Sequence, residues 1–268
     1  MTTGGVDALV EALGAGWDRG EPASRRLTAV SDRIRAHGVG LPLSATAAEV
    51  CAWAGAHRGR RRWLADRIRV AVGALAVDGA APRSGRRREA WRAAVAMAAA
   101  LHPASVHRVP IRQAVGPEIL GALTREAARR RPRRLRERTQ YAAPGPILQR
   151  LAVDPLLRAA VSEAAGFMLR PAYTAVYMYD PPGSAVAPHL DTSHFGAVLH
   201  IVLTHEGHRP GHGSALVVHG VDRRRRLPLR PGEAVLLCGR GAVHQWEPLG
   251  RAEQRTMLAI GFTPVRRR

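Results

Sequence analysis

The chain has 268 residues, 46% of them hydrophobic, which is enough for one large domain or two small ones with apolar cores. It contains no apolar run of eighteen residues, no N-terminal basic cluster followed by an apolar segment, and only two cysteines, Cys51 and Cys238. We therefore expect no membrane span, no secretory signal and no disulfide framework, and a cytoplasmic location fits. The net charge of +20 is weak evidence for nucleic-acid binding, because all 41 basic residues are arginine, the bias that a GC-rich coding sequence produces.

The first hundred residues show apolar side chains at helical spacing, so residues 1–102 are predicted to form an all-helical N-terminal region. The predicted helices are LVEALGAGW, SRRLTAVSDRIRAHG, SATAAEVCAWAGAH, RRWLADRIRVAVGALAVDG and RREAWRAAVAMAAALH. HPASVHRVP breaks this pattern, and we place a boundary there, before a second domain at residues 103–268. Two further helices, GPEILGALTREAARRR and DPLLRAAVSEAAGFML, flank an arginine-rich loop, and Asp154 is the predicted N-cap of the second.

From Pro171 onward the pattern changes to short segments rich in β-branched and aromatic residues, separated by Gly/Pro turns. They are AYTAVYMY, AVAPHLD, AVLHIVLT, SALVVHG, RLPLRP, EAVLLCG and RTMLAIGF. Short strands at this spacing favour an antiparallel sandwich or barrel. The predicted fold is therefore α+β, with a double-stranded β-helix (jelly-roll) core, supporting helices and the helical N-terminal extension.

The segment PHLD carries a candidate metal site, because alternation along a strand places His189 and Asp191 on the same face. For the third ligand we select His244, which follows a strand and a Gly-containing turn and can lie beside PHLD in a jelly roll. His219 is the alternative candidate for this third ligand. Two histidines and one carboxylate leave coordination positions open, as in the facial triad of non-haem Fe(II) oxygenases. His205, His208 and His212 lie in a turn-rich segment and are expected to be solvated loop residues or minor substrate contacts.

Arg255 stands eleven residues after His244, where an arginine inside the barrel could hold a dicarboxylate through two hydrogen bonds. Read in order, YMYDPPGSAVAPHLD, GSALVVHG, LPLRPGEAVLLCGRGAVHQW and RTMLAIGF resemble the catalytic core of the Fe(II)/2-oxoglutarate-dependent oxygenases, in their prolyl-hydroxylase-like branch. The resemblance spans roughly Val106–Phe262. The N-terminal hundred residues match nothing in that family.

The resemblance implies that His189, Asp191 and His244 bind Fe(II), that Arg255 pairs with the distal carboxylate of 2-oxoglutarate, and that O2 is consumed. Tyr179, or failing that Tyr177, is expected to hydrogen-bond the co-substrate. Ser or Thr often lies two residues after the arginine in the family, whereas this chain has Met257.

The implied reaction is hydroxylation of a small molecule or a peptidyl residue, with release of succinate and CO2; desaturation and ring formation stay open. The expected partner is then a small-molecule or peptide substrate, and the protein could form a homodimer. Binding to a membrane or to nucleic acid is not expected. Arg129–Arg138 or Arg223–Arg226 could recognise an acidic group on the substrate. Three alternatives remain: a nucleic-acid dealkylating dioxygenase, a cupin-like metal protein without 2-oxoglutarate chemistry, and a non-catalytic scaffold. The first is disfavoured because Gly261 stands where the dealkylating branch usually carries a second arginine.

Overall fold

The structure is a computed structural model that describes residues 43–56, 60–76, 78–102, 106–135, 138–191, 196–207 and 214–265. The two predicted helices before residue 40 and the histidines His194, His208 and His212 lie outside these residues. Within the described part of the chain, no helix combines the length and the apolarity that crossing a membrane would require.

Within the described residues, three helices precede the first strand, and they correspond to the last three of the five helices that the sequence predicts there. They are α1 (Leu43–Ala56), α2 (Arg60–Leu75) and α3 (Gly85–Leu101). Helix α3 is rich in alanine, so its backbone can approach its neighbours closely, and the fully buried Trp91 fills the space beside it. The apolar cluster of these helices also contains Leu190 and Val243 from the strand region. The division of the chain at residue 102 stays a prediction.

Four helices lie within the second region: α4 (Ile111–Val115), α5 (Pro117–Arg130), α6 (Pro146–Ala152) and α7 (Pro155–Ala165). Asp154 caps α7 as predicted, because its carboxylate accepts hydrogen bonds from the backbone N–H groups of Leu156 and Leu157. Glu126 of α5 caps the N-terminus of the short helix α6, because its buried carboxylate accepts hydrogen bonds from the backbone N–H groups of Ile147 and Leu148. This contact satisfies two backbone donors that a helix start leaves open.

The described strands form two antiparallel sheets. Their bounds are β1 (Val106–Val109), β2 (Gln140–Ala142), β3 (Leu169–Asp180), β4 (Val186–His189), β5 (Ala197–Glu206), β6 (Leu216–His219), β7 (Arg224–Leu227), β8 (Ala234–Leu237), β9 (Val243–Trp246) and β10 (Gln254–Pro264). The six-stranded sheet has the order β1-β8-β5-β10-β3-β2, and the four-stranded sheet has the order β4-β9-β6-β7. These paired sheets and their helices confirm the predicted α+β fold with a jelly-roll core.

Apolar side chains fill three layers around these sheets. Helices α4–α7 cover the outer face of the six-stranded sheet, where their residues share one cluster with strands β3, β5, β8 and β10. Between the sheets, Met178, Val202 and Met257 meet Leu216 and Trp246. Helices α1–α3 contact the other sheet through the cluster that holds Leu190 and Val243. Alternate residues of each strand therefore point to the barrel interior, and this alternation decides which side chains reach the site.

Candidate metal centre

His189 and His244 are directly opposite each other in the antiparallel pairing of β4 and β9. Their ring centroids are 4.2 Å apart. Each Nδ1 lies 2.9 Å from a backbone carbonyl oxygen, that of Ala187 for His189 and that of Ala242 for His244. Because a carbonyl can only accept, both Nδ1 atoms carry the proton and both Nε2 atoms keep a free lone pair. Two imidazoles are thus held in the tautomer that binds a metal through Nε2.

Asp191 completes the cluster from the residues that follow β4. Its backbone N–H donates to the carbonyl oxygen of Gly239, at 2.9 Å, in the turn between β8 and β9. Its Oδ1 lies 3.9 Å from His189 Nε2 and 3.7 Å from His244 Nε2, which is too long for hydrogen bonds. Its Oδ2 is buried, and none of the described residues forms a hydrogen bond with it. A side chain at Gly239 would occupy the space of this carboxylate, so the turn needs glycine at that position.

The donor atoms of His189, Asp191 and His244 all lie within 4.8 Å of one another. Burial lowers the pKa of His244 well below its usual range, and the neighbouring His189 lowers it further, so its imidazole is neutral at neutral pH. Burial raises the pKa of Asp191, against the opposing effect of His189. A buried carboxylate oxygen that no described residue binds, faced by the Nε2 atoms of two imidazoles, has the features of a cation site. The structure therefore brings together all three predicted ligands, and their donor set fits a divalent transition metal.

Arg255 lies in β10 on the barrel-facing side and is 2% exposed. Its Nε and Nη2 both donate to Asp180 Oδ2, at 2.9 and 2.8 Å, and its Nη1 donates to Ser214 Oγ at 3.2 Å. The guanidinium carbon lies 4.1 Å from the centroid of the Trp246 ring, a cation–π contact. Burial lowers the pKa of Arg255, and Asp180 counteracts part of that effect. The predicted anion-binding arginine is therefore inside the barrel, and it already has a carboxylate partner.

Tyr177 and Tyr179 face the opposite side of β3. The Tyr177 hydroxyl donates to Glu126 Oε1 at 2.7 Å, and the Tyr179 hydroxyl donates to the carbonyl oxygen of Ala127 at 2.8 Å. Both rings belong to the cluster beneath helices α4–α7. This placement contradicts the expectation that either tyrosine hydrogen-bonds a co-substrate beside the metal ligands. Strand alternation instead directs Asp180 to Arg255.

Three further histidines can be assigned from their strands. His219, the alternative candidate for the third ligand, donates through Nε2 to Gln245 Oε1 at 2.9 Å and contacts the Trp91 ring in a T-shaped arrangement. It therefore lies on the helical side of the sheet, away from the cluster. His205 is 9% exposed at the end of β5, which contradicts the expectation of a solvated loop residue. His200, which sequence reasoning did not select, is buried in β5 against the edge of the Trp246 ring.

The Nδ1 atom of His200 is buried in the barrel interior and has no hydrogen-bond partner in the part of the chain that the structure describes. Burial lowers its pKa to about 4, against the opposing effect of Asp191. His244 on one side and Arg255 on the other lower that pKa further. The imidazole therefore lies within electrostatic reach of both the metal ligands and Arg255. Alternation with the inward-facing Val202 is the sequence signal that could have found it.

The arginine segments and Cys238 have local roles that the structure makes clear. Arg224 and Arg225 are exposed on β7, whereas Arg226 forms an ion pair with Glu247 at 2.6 Å. Three of the four residues Arg223–Arg226 thus belong to a strand. Cys238 packs as a small core residue in the cluster beneath helices α4–α7. Cys51 and Cys238 do not form a disulfide with each other.

No protein-family model and no curated protein matches this chain. Solved structures do match. An oxidoreductase of the 2OG-Fe(II) oxygenase family from Burkholderia pseudomallei is 16% identical, aligns with 62% of this chain and 87% of its own, and has a TM-score of 0.50. This chain has the fold of the Fe(II)/2-oxoglutarate oxygenases. A prolyl-4-hydroxylase from Pseudomonas putida also matches, at 22% identity over 64% of this chain and 94% of its own, with a TM-score of 0.44. So does HygX from Streptomyces hygroscopicus, with nickel, 2-oxoglutarate and hygromycin B bound, at 18% identity over 60% and 84% of the two chains, with a TM-score of 0.45.

Proposed function

We propose that this protein is an Fe(II)/2-oxoglutarate-dependent dioxygenase that hydroxylates an unactivated C–H bond of a small molecule or a peptidyl residue. The observation that carries the proposal is the convergence of His189, Asp191 and His244, with their free donor atoms within 4.8 Å of one another. These residues lie at the mouth of a jelly roll whose fold is that of the Fe(II)/2-oxoglutarate oxygenases.

The three side chains would hold Fe(II), with Asp191 as the anionic ligand and the two Nε2 atoms as neutral ligands. Bound Fe(II), with 2-oxoglutarate and O2, would supply the oxidising chemistry and release succinate and CO2. The protein fixes the imidazole tautomers through the carbonyls of Ala187 and Ala242. It also keeps water from the inner side of the cluster, because His244 is 2% exposed.

Arg255 supports the co-substrate part of the proposal. Its charge lowers the pKa of the neighbouring His200, and two of its N–H groups donate to no protein partner within the described residues. The distal carboxylate of 2-oxoglutarate would bind these N–H groups, with His200 beside the carbon chain. Neither tyrosine takes part, since both hydroxyls are bonded on the other side of β3.

The substrate would approach from the side of His189, whose side chain is 38% exposed while His244 is buried. Arg240 lies close to Asp191, and Arg62 of helix α2 lies close to Arg240, so this side is positively charged. A small molecule with an acidic group fits this charge best, and an acidic peptidyl residue comes second. A cytoplasmic location fits Cys51 and Cys238, which do not form a disulfide with each other.

A second candidate is a cupin-like metal protein that binds no 2-oxoglutarate. One observation favours it: the charge of Arg255 is already paired with Asp180, at 2.8 Å, before any ligand enters. In this case the metal cluster would stay intact, and the Arg255 pair would serve only the stability of the barrel.

The test is turnover with 18O2. Purified protein is incubated with Fe(II), 2-oxoglutarate and a panel of acidic small molecules and peptides, and succinate and product masses are measured by mass spectrometry. We expect succinate that depends on Fe(II), and one heavy oxygen atom in a hydroxylated product. The His189→Ala variant is the control and should release none. Metal binding by the wild type without any succinate across the panel would favour the cupin-like alternative.

A further inference from the structure

The barrel interior contains a buried ion pair whose two members are opposite each other in the strand register. Arg255 of β10 pairs with Asp180 of β3, and their side chains are 2% and 1% exposed. Both Nε and Nη2 donate to the same oxygen, Asp180 Oδ2. The other oxygen, Oδ1, accepts from Thr139 Oγ1 at 2.6 Å. Both carboxylate oxygens of Asp180 are therefore held by hydrogen bonds.

The guanidinium keeps some donors for a ligand. An arginine side chain has five N–H groups, and within the described residues the protein uses three of them, two for Asp180 and one for Ser214. The face of the guanidinium rests on Trp246, which fixes its plane. A carboxylate that binds the two remaining N–H groups would therefore share the same guanidinium with the carboxylate of Asp180.

Two carboxylates on one buried arginine repel each other, because charges that are removed from water are poorly screened. The positive charge of Arg255 is already balanced by Asp180, so the pocket offers little net attraction to a second anion. An otherwise identical pocket with a neutral residue at position 180 would attract a dicarboxylate more strongly.

We propose that Asp180 is a specificity-determining residue that competes with the distal carboxylate of 2-oxoglutarate for Arg255 and so weakens co-substrate binding. This inference rests on the proposed function. Its consequence is that the wild-type protein distinguishes poorly between 2-oxoglutarate and 2-oxopentanoate, a 2-oxo acid of the same chain length that lacks the distal carboxylate.

The Asp180→Asn substitution tests the charge and keeps the shape. The asparagine oxygen still accepts from Nε and Nη2 of Arg255, and its amide can donate to Thr139 Oγ1 once that hydroxyl reorients. The Kd values for 2-oxoglutarate and 2-oxopentanoate are measured by anaerobic calorimetry on Fe(II)-loaded protein. We expect the Kd for 2-oxoglutarate to fall about tenfold in this variant and the Kd for 2-oxopentanoate to change less than about twofold.

Asp222→Asn is the matched control. It removes one carboxylate charge from an exposed position, where Asp222 forms an ion pair with Arg92, so it changes the net charge by the same amount outside the barrel. We expect neither Kd to change. A gain in 2-oxoglutarate affinity as large as that of Asp180→Asn would attribute the effect to net charge and overturn the inference.

A second variant has the opposite sign and covers the case that Asp180→Asn does not fold. Thr139→Val removes the hydroxyl that donates to Asp180 Oδ1, which leaves the carboxylate charge more available to Arg255. We expect the Kd for 2-oxoglutarate to rise severalfold, with 2-oxopentanoate unaffected. An unchanged Kd for 2-oxoglutarate would count against the inference.

The outcomes separate the inference from the proposed function. Wild-type binding of 2-oxoglutarate, with an equal or higher Kd in Asp180→Asn, overturns the inference alone. An equal gain for both 2-oxo acids also overturns it, because the distal carboxylate would then play no part. If the wild type and both variants bind Fe(II) and none binds either 2-oxo acid, the proposed function fails and the inference fails with it.

Discussion

Replacing Gly239 by alanine should break the metal site without changing a ligand. A Cβ atom at this position would lie 1.7 Å from Asp191 Oδ2 and 2.4 Å from Cγ, and such atoms do not approach other heavy atoms to less than 3.0 Å. The carboxylate must therefore move by 1.3 Å or more, or the turn must shift by the same amount. Functional sites tolerate displacements of about 0.5 Å. We expect the affinity for Fe(II) to fall about 10- to 100-fold, as for other changes that displace a metal ligand.

Anaerobic equilibrium dialysis against Fe(II), with the bound metal quantified, measures this loss. The backbone at Gly239 does not have a positive φ, so alanine is compatible with its conformation and the variant should fold. Gly250→Ala is the matched control, because its Cβ would meet nothing closer than Glu253 Cγ at 3.5 Å. An unchanged Fe(II) affinity in Gly239→Ala, at wild-type thermal stability, would refute the assignment of Asp191 as a ligand held by this turn.

Three further predictions follow from buried polar contacts. Tyr177→Phe should lower the free energy of unfolding by about 1–3 kcal/mol in urea titrations, because Glu126 loses a buried donor, and should leave the Kd for 2-oxoglutarate unchanged; a weakened Kd would restore a co-substrate role for the tyrosine. Arg255→Ala should lower the free energy of unfolding by about 3–5 kcal/mol, since the carboxylate of Asp180 would stay buried and unpaired. A loss below about 1 kcal/mol would contradict the buried ion pair between Arg255 and Asp180. Burial lowers the pKa of His200 to about 4, so unfolding exposes a group that takes up a proton below about pH 6.5. The free energy of unfolding should therefore fall by up to about 3 kcal/mol between pH 6.5 and 4, and His200→Gln should flatten this slope; equal slopes would contradict the buried position.

The ligands of the metal cluster could be predicted because their geometry is local. His189 and Asp191 are two residues apart at the end of a strand, and alternation alone puts them on one face. His244 followed from its place after the Gly-containing turn, and the antiparallel pairing of β4 with β9 sets it opposite His189. The strands from Pro171 onward could also be predicted from local sequence, because Gly and Pro turns separate them.

The environment of Arg255 could not be predicted because it depends on register. Which residue of β3 lies opposite Arg255 is fixed by the pairing of two strands that are 75 residues apart at this point. The sequence shows that Tyr177 and Tyr179 share one face, but the side on which that face lies is set by the helices that cover it. Strands β1 and β2 were missed because four and three residues carry too little periodicity, and β2 lies next to an arginine-rich stretch.

The central claim is that His189, Asp191 and His244 bind Fe(II) in a form that accepts the 2-oxo acid end of 2-oxoglutarate. The most direct test is an anaerobic titration of the purified protein with Fe(II) and 2-oxoglutarate, followed by visible absorption, with His189→Ala as the control. We expect a charge-transfer band that requires both additions and is absent from the variant. Fe(II) binding to the wild type without any such band would contradict this claim.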